Sequence, residues 1–235
     1  MKTLIVILLA VGLASGGMQP ASASEAKPSK SKCGLRESGF TYFPASETGT
    51  ATAQISWGLV VSNRTKKPVV DVDAIVNFYS PTGNLVQTET WSWGLGSLAP
   101  RDRAISGDTE PADGEISSMK VWVTCAAQSK RGRKIQKVGR KAPFSGQVTK
   151  GELGDLEATG TFRNPGRTRT FEGTPTFIYR NSSGGIIGGD NLNTGSLGTI
   201  PRDVEIRWST SVNVPFKDPL PVIEGTVSPK NSWYS

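Results

Sequence analysis

Histidine is absent from this chain of 235 residues, and cysteine occurs only twice. The lack of histidine excludes Ser-His-Asp and Cys-His catalysis, histidine-ligated metal sites and any switch based on imidazole titration. Beyond the N-terminal 23 residues, no segment has the 3.6-residue apolar period of an amphipathic helix. Glycine and proline are plentiful, with 27 and 15 residues. This turn-rich composition favours many short strands over long helices.

The N-terminal residues 1–23 predict a cleaved signal peptide. Lys2 supplies a positive charge, residues 4–14 form an apolar run, and residues 21–23 have the Ala-Ser-Ala pattern that signal peptidase cleaves. The run is shorter than the roughly 20 residues that a membrane span requires. We therefore expect a mature chain from Ser24 onward with no membrane span. Its location should be secreted or extracytoplasmic, at the cell surface or in the periplasm.

The two cysteines, Cys33 and Cys125, are expected to form a disulfide, because an oxidising compartment favours their pairing. Reactive-thiol chemistry is the alternative. It would have to operate without histidine, the usual partner that activates a catalytic cysteine.

A comparison of the chain with itself reveals a repeat at a shift near 101 residues. The Ala-Pro-Arg-Asp motif of residues 99–102 returns as Ile-Pro-Arg-Asp at residues 200–203. At a shift of 100, Phe78-Tyr79 meets Ile178-Tyr179, which predicts a turn one residue longer in the second copy. Matches in the same order along the chain indicate duplication of one structural unit.

Each copy has the pattern of a β-hairpin. Residues 70–78 alternate between apolar and polar side chains, which predicts a strand with one face in a core. A Ser-Pro-Thr-Gly turn follows at residues 80–83, and residues 85–93 are expected to form the return strand. Residues 119–125 alternate again, and residues 174–179 begin the second hairpin. We therefore expect an all-β chain with two tandem antiparallel β-sandwich domains.

The first hairpin resembles the FxLYD-type domain. Val76, Phe78, Tyr79 and Ser80 stand where that family's signature has Phe, Leu, Tyr and Asp. The corresponding positions of the second copy are held by Thr176, Ile178, Tyr179 and Arg180. The resemblance implies immunoglobulin-like sandwiches of a kind found on bacterial exported proteins, usually without known function. Both copies lack the signature Asp.

The predicted organisation has five parts. They are the signal peptide 1–23, an N-terminal segment with the first strand 24–50, a first sandwich 51–127, a basic linker or hairpin extension 128–142, and a second sandwich 143–235. Residues 24–127 hold ten basic and eleven acidic residues, and residues 143–235 hold nine of each. The excess positive charge therefore belongs to the connection between the sandwiches.

The connection contains seven cations and no acid: Lys130, Arg131, Arg133, Lys134, Lys137, Arg140 and Lys141. Two interpretations remain open. The cations either keep a linker or strand edge soluble, or they bind an anionic cell-envelope polymer through mutually reinforcing charges. Nucleic acid is not an expected partner, because the chain is exported and lacks the alternating basic and aromatic strand of RNA-binding domains.

Trp91, Trp93 and Trp122 are the candidate aromatic contacts. Trp91 and Trp93 share a strand face, where they would form either a stacking platform for a sugar or peptide or part of the core. Trp122 should face away from Cys125, toward solvent or the other domain. The acids between residues 108 and 115 are expected to form a solvated loop.

No catalytic residues are assigned. The sequence has no P-loop, GxSxG, HExxH or multi-cysteine metal pattern, so neither a cofactor nor a metal is expected. The sequence predicts an exported, non-catalytic binding or structural protein of the bacterial cell exterior. One alternative is a secreted inhibitor or adaptor that contacts another exported protein through a loop or edge strand. A carboxylate-based hydrolase is a second, and it would need paired acids in a cleft.

Overall fold

A computed structural model describes residues 32–127, 141–152, 154–163, 175–191 and 204–227, without the side chains of Trp93 and Ala127. These ranges contain twelve strands and one short helix. Every strand pair in them is antiparallel. The predicted all-β sandwich class is confirmed. The predicted signal peptide lies outside the described residues, as does the connection up to residue 140.

The first half is a sandwich of two three-stranded sheets. Its strands are β1 (Cys33–Phe43), β2 (Gln54–Asn63), β3 (Val69–Tyr79), β4 (Leu85–Leu98), β5 (Arg103–Pro111) and β6 (Ser118–Ala127). One sheet has the order β1-β2-β5 and the other β4-β3-β6. Trp57 and Phe78, both fully buried, belong to the core cluster that these strands share. The helix α1 (Ala45–Thr48) is a single turn, and no helix in the described ranges is long and apolar enough to cross a membrane.

The strand predicted at residues 70–78 has its expected alternation from residue 72 onward, with every second side chain fully buried. At its start, however, Val69 is buried rather than Val70. The register against β6 shifts between Val70 and Asp73, and Asp71 adopts a φ of 50°. Such a bulge inserts an extra residue, which moves the preceding side chains to the opposite face.

The second half repeats the pairing of the first. Its strands are β7 (Ala142–Lys150), β8 (Leu156–Arg163), β9 (Thr176–Arg180), β10 (Ile186–Asn191), β11 (Glu205–Ser211) and β12 (Val222–Val227). They form one sheet in the order β10-β9-β12-β7-β8-β11. The trio β7-β8-β11 corresponds to β1-β2-β5, and β10-β9-β12 corresponds to β4-β3-β6. A ladder between β12 and β7 joins the two trios.

This six-stranded sheet bends over its own core. In a flat sheet, β9 and β11 would lie about 19 Å apart, because three strands separate them and neighbours are spaced by about 4.8 Å. Yet the ring centroids of Phe177 in β9 and Trp208 in β11 are only 5.6 Å apart. Phe144 in β7 lies between them, 5.3 Å from Trp208 and 6.3 Å from Phe177. The two trios therefore face each other as two layers.

The hairpin turn of the first half recurs in the second at a shift of 101. In both turns the glycine N–H donates to the carbonyl three residues earlier, at 2.9 Å. Gly83 and Gly184 have φ values of 82° and 84°, a conformation that glycine adopts readily. The two turns have the same length, so the predicted extra residue is wrong and Phe78 aligns with Tyr179. The motif at residues 200–203 lies outside the described residues, and the division into two copies stays a prediction.

The predicted disulfide is confirmed. Cys33 in β1 is bonded to Cys125 in β6, with a Cα–Cα distance of 6.2 Å. These strands lie in different sheets, whereas their counterparts β7 and β12 are hydrogen-bonded from Val222 to Val227. The disulfide therefore links the two sheets of the first sandwich at the position where the β7–β12 ladder links the two trios of the second half.

The two halves touch backbone to backbone. Strand β10 lies across the outer face of the β1-β2-β5 sheet, and glycines line the contact. A Cβ atom on Gly58 would lie 2.5 Å from the Gly188 carbonyl oxygen, and one on Gly107 would lie 2.7 Å from the Gly189 Cα. The Gly189 N–H donates to the Ser56 hydroxyl at 3.1 Å. Only residues without a side chain allow this approach.

Ion pairs border the same contact. Arg180 of β9 donates to Glu37 of β1 and to Glu224 of β12, both at 2.7 Å. Glu224 also pairs with Arg103 of β5 at 2.8 Å. The charges of both halves thus form one network, in which the Arg180 side chain is only 14% exposed. Such partly buried networks stabilise more than isolated surface pairs.

Replacing Gly107 with alanine is expected to lower the free energy of unfolding by about 1–3 kcal/mol, because the new methyl group would overlap backbone atoms that cannot rotate away. Chemical denaturation measures the change. Gly185→Ala is the matched control, since its Cβ would meet only ordinary contacts with Asn181, from 3.4 Å outward. Equal stability of the two variants would contradict the close contact.

Removing the disulfide with Cys33→Ser and Cys125→Ser is expected to cost about 2–5 kcal/mol of unfolding free energy, because the bond closes a long loop. The two cysteines are 92 positions apart in the chain. Denaturation of wild type with and without a reducing agent provides the control. Reduced wild type should match the double variant, and the variant should not respond to the reductant.

Candidate functional site

Two tryptophans from the two facing sheets meet inside the first sandwich. The ring of Trp91 in β4 stands nearly perpendicular to that of Trp57 in β2, with centroids 5.3 Å apart. The Trp91 indole N–H donates to the Ser106 hydroxyl, and the Trp57 indole N–H donates to the Glu110 carboxylate, both at 2.8 Å. The half-buried Trp91 therefore packs against the core, as the core alternative for this residue describes.

The other predicted aromatic contacts lie elsewhere. Trp122 in β6 is half-buried and pairs in register with Ile75 of β3. Its neighbours Val121 and Val123 pack toward the core, so Trp122 lies on the outer face of its sheet. Trp93 lies within β4, but its side chain is outside the description. The structure thus does not bring Trp122 together with Trp91.

Four carboxyl groups interact electrostatically near Trp57, and we call them the acidic seam: Glu89 of β4, Asp108 and Glu110 of β5, and Asp190 of β10. Glu110 is hydrogen-bonded to Trp57, and Asp108 pairs with Trp57 in register. The expectation of a solvated loop is wrong for Asp108 and Glu110, which lie in a strand and are half-buried. That expectation did not take into account that Asp108 and Glu110 continue the inward-facing alternation of Ala104 and Ser106 along β5.

Burial is the main cause of the raised pKa values in the acidic seam. It raises the pKa of Asp108 to about 6, with a further increase from Glu89 and an opposing hydrogen bond from the Thr109 N–H. It raises the pKa of Glu110 to about 7, against the bond from Trp57. Neighbouring acids, Glu89 among them, raise the Glu110 value further.

Asp190 brings the second half of the chain to the seam. Burial raises the pKa of its carboxyl to about 7, and the nearby Asp108 adds to this. The side-chain amide of Asn191 donates to Asp108 at 3.2 Å, while the backbone N–H of Asn191 donates to Asp190 at 2.7 Å. Carboxyl groups with such pKa values exchange protons near neutral pH. In the described ranges, no group of three or more acidic or cysteine side chains is placed to hold a metal ion.

Of the seven predicted anion-binding cations, only Lys141 is described, and it is buried with 7% exposure. Its backbone N–H donates to the Asp102 carboxylate at 2.9 Å. Burial lowers the pKa of its side chain to about 8, although Asp102 opposes the change. The side chain is enclosed where β7 begins, so Lys141 does not present its charge at the surface. The other six cations lie outside the described residues, and their role stays a prediction.

A separate shallow groove of about 430 Å³ lies on strands β8 and β11. It is lined by Thr159, Gly160, Thr161, Arg207, Trp208 and Ser209. The Nε1 atom of Trp208 is buried and has no hydrogen-bond partner in the structure. None of the acidic seam residues lines this groove.

Sequence reasoning missed Trp57 and Asp190 as members of the site. Trp57 lies in an alternating apolar run with Ile55 and Leu59, so strand periodicity was the signal that pointed to its burial. Asp190 has no comparable local signal. It lies 82 positions after Asp108 and reaches it only through the packing of β10 on the first sandwich.

A scan against the models of known protein families finds no match for this chain, and a search of the curated proteins finds none either. Functional inference therefore depends on the residues and geometry described above. The resemblance to the FxLYD-type domain is carried forward as a proposal.

The acidic seam predicts that the protein becomes less stable as pH rises from 5 to 8. Carboxyls with raised pKa values bind more protons in the folded than in the unfolded chain over this window, so their ionisation opposes folding. Histidine cannot contribute, and Lys141 acts in the opposite sense only above about pH 8. With allowance for solvent screening, the loss should be about 1–3 kcal/mol in chemical denaturation.

Asp190→Asn should flatten this pH dependence and stabilise the protein at pH 8, since it removes one ionisable member of the seam. Glu115→Gln is the control, because Glu115 is an exposed acid outside the seam. If both variants retained the wild-type slope between pH 5 and 8, the seam would not be its source.

Proposed function

We propose that this protein is an exported, non-catalytic binding or structural protein of the bacterial cell exterior, built from two tandem immunoglobulin-like sandwiches of the FxLYD type. The Cys33–Cys125 disulfide supports export, because such bonds persist in oxidising compartments. The signal-like residues 1–23 support it from the sequence.

Strand pairing supports the immunoglobulin-like part of the proposal. In that fold, strands A, B and E share one sheet, and strands C′, C and F belong to the other. The orders β1-β2-β5 and β4-β3-β6 follow this scheme when the six strands are lettered A, B, C, C′, E and F. The recurrence of both trios in β7 to β12 supports two copies of one unit.

Charge distribution is the observation on which the ligand class depends. Residues 128–140 hold six cations and no acid. The chain enters this stretch from Ala127, which pairs with Val69, and leaves it at Lys141, which is bonded to Asp102. Both ends are thus held on the first sandwich. Cations that lie close together along the chain attract a polyanion more strongly than dispersed cations do. We therefore infer that this stretch contacts an anionic envelope polymer.

The carboxyl groups that could act in catalysis are hydrogen-bonded within the protein, which supports a non-catalytic role. Glu110 accepts a hydrogen bond from buried Trp57, and Asp108 accepts one from Asn191. A carboxylate-based hydrolase is the second candidate, favoured by the raised pKa values of the acidic seam. Hydrolysis of cell-wall glycan by wild type, abolished by Asp108→Asn, would favour the hydrolase.

Retention on immobilised heparin, a linear polyanion, tests the proposed ligand class. Replacing Lys130, Arg131, Arg133 and Lys134 with serine should lower the salt concentration needed for elution, because the variant loses clustered charge. The control variant replaces four exposed cations of the second half with serine: Lys150, Arg163, Arg207 and Lys217. Both variants have the same net charge, and the cations removed from the control are dispersed, two of them paired with Asp218 and Glu47. Identical elution of wild type and both variants would contradict the proposal.

A further inference from the structure

Exposed charges are distributed unevenly along the first sandwich. Strand β2 has ten residues, which corresponds to about 33 Å at about 3.3 Å per residue. Near its start, at Gln54, lie Glu110 of β5 and the exposed acids Asp113 and Glu115 that follow it. Near its end, at Asn63, lie five exposed cations, which we call the basic end: Lys32, Arg64, Lys66, Lys67 and Arg101. The net charge of residues 24–127 is close to zero and does not reveal this uneven distribution.

Asn63 holds the two loops of the basic end together. Its buried side-chain amide donates to the carbonyls of Lys67 at 2.8 Å and Ala99 at 2.9 Å. Its backbone N–H donates to the carbonyl of Asp102 at 2.9 Å, while its side-chain oxygen accepts from the Thr65 N–H at 2.9 Å. The loops 63–68 and 99–102 are therefore fixed against each other before any ligand binds.

Lys32, the residue before β1, lies on the same surface. Lys32 directly precedes the disulfide-bonded Cys33, and its carbonyl accepts a hydrogen bond from the backbone N–H of Arg64. The guanidinium of Arg64 lies over Gly34 and donates to the carbonyl of Leu35 at 3.2 Å. The loop cations and the start of β1 thus share one surface.

Arg101 occupies an unusual backbone position for its side chain. It follows Pro100 in a turn closed by the Asp102 N–H and the Ala99 carbonyl at 3.1 Å, and its φ is 59°. Glycine or asparagine usually fills such a position, because a side chain is strained there. The exposed Arg101 therefore costs stability where a glycine would not, which indicates a use for its charge.

In the described residues, three acids lie toward the basic end: Asp71, Asp73 and Asp102. Asp102 accepts the backbone N–H of Lys141, whose enclosed side chain supplies its own positive charge. Asp71 is exposed in the β3 bulge, four residues after Lys67. Five exposed cations against these three acids leave a net positive surface.

We propose that the basic end is a preorganised binding site for the anionic groups of a linear polymer, either phosphates or carboxylates. The proposal takes its ligand class from the proposed function, and the site itself consists only of described residues. Because the cationic stretch 128–140 starts and finishes beside these loops, a polymer held by one element has a high effective concentration at the other. Fixed loops bind with a smaller loss of conformational entropy than mobile ones.

The test is the affinity of labelled heparin for the full chain at several salt concentrations. The variant Lys66→Ser, Lys67→Ser, Arg101→Gly should bind about tenfold or more weakly, with a smaller salt dependence, because it loses three contact charges. Glycine at position 101 suits the positive φ, so the variant should fold. Arg163→Ser, Arg207→Ser, Lys217→Ser removes equal charge from the second half and should bind nearly as wild type.

The outcomes separate this inference from the proposed function. Wild-type affinity in the Lys66, Lys67 and Arg101 variant, together with loss of binding in the 130–134 variant, would overturn the basic end and leave the proposed function standing. Loss of binding in the Lys66, Lys67 and Arg101 variant, together with wild-type affinity in the 130–134 variant, would support the basic end and contradict a role of the connection in binding. No binding of heparin by wild type would overturn both. Charge reversal by Lys66→Glu and Lys67→Glu, in an exposed loop, should weaken binding further.

Discussion

The approach of two backbones without intervening side chains is the constraint on which the rest of the molecule depends. Gly58 and Gly107 on one side meet Gly188 and Gly189 on the other. A small apolar cluster of Val60, Ile105 and Ile178 fills the space beside them. Because the strands come this close, hydroxyl groups such as that of Thr109 reach backbone atoms of the opposite half. Asp190 joins the acidic seam only because this packing brings β10 beside β5.

Each half joins its first and last strands differently. In the second, β7 and β12 share a ladder, so the six strands form one sheet that bends around its aromatic core. In the first, the corresponding strands belong to separate sheets, and the Cys33–Cys125 bond connects them. A sandwich with open edges has less backbone hydrogen bonding to hold it together, which gives the disulfide a larger share of its stability.

Charge follows this architecture. Acids gather at one end of the first sandwich, where burial and mutual repulsion raise their pKa values. Cations gather at the other end, around Asn63. A chain segment rich in cations begins and ends there as well. The surface that we propose for anion binding and the acidic seam thus lie toward opposite ends of strand β2.

Local patterns were enough to predict much of the fold. The alternation in residues 72–78 and 119–125 gave correct strands, since a half-buried strand requires a period of two. The pairing of Cys33 with Cys125 followed from their number. The bulge at Asp71 was not predicted, because an added residue leaves no mark on composition. The length of the second turn was mispredicted because Tyr179 was aligned with Tyr79 by identity, whereas its burial places it with Phe78.

By itself, the sequence determined the all-β class, the disulfide and the position of the unbalanced cationic stretch, because each depends on residue type or on spacing along the chain. Tertiary structure alone decided that Trp91 packs on Trp57, that Lys141 is enclosed, and that Asp190 meets Asp108. It also decided that loop cations distant in the sequence share one end. The physical reason is that burial and electrostatic coupling depend on distances in space, which the packing of strands far apart in the chain sets.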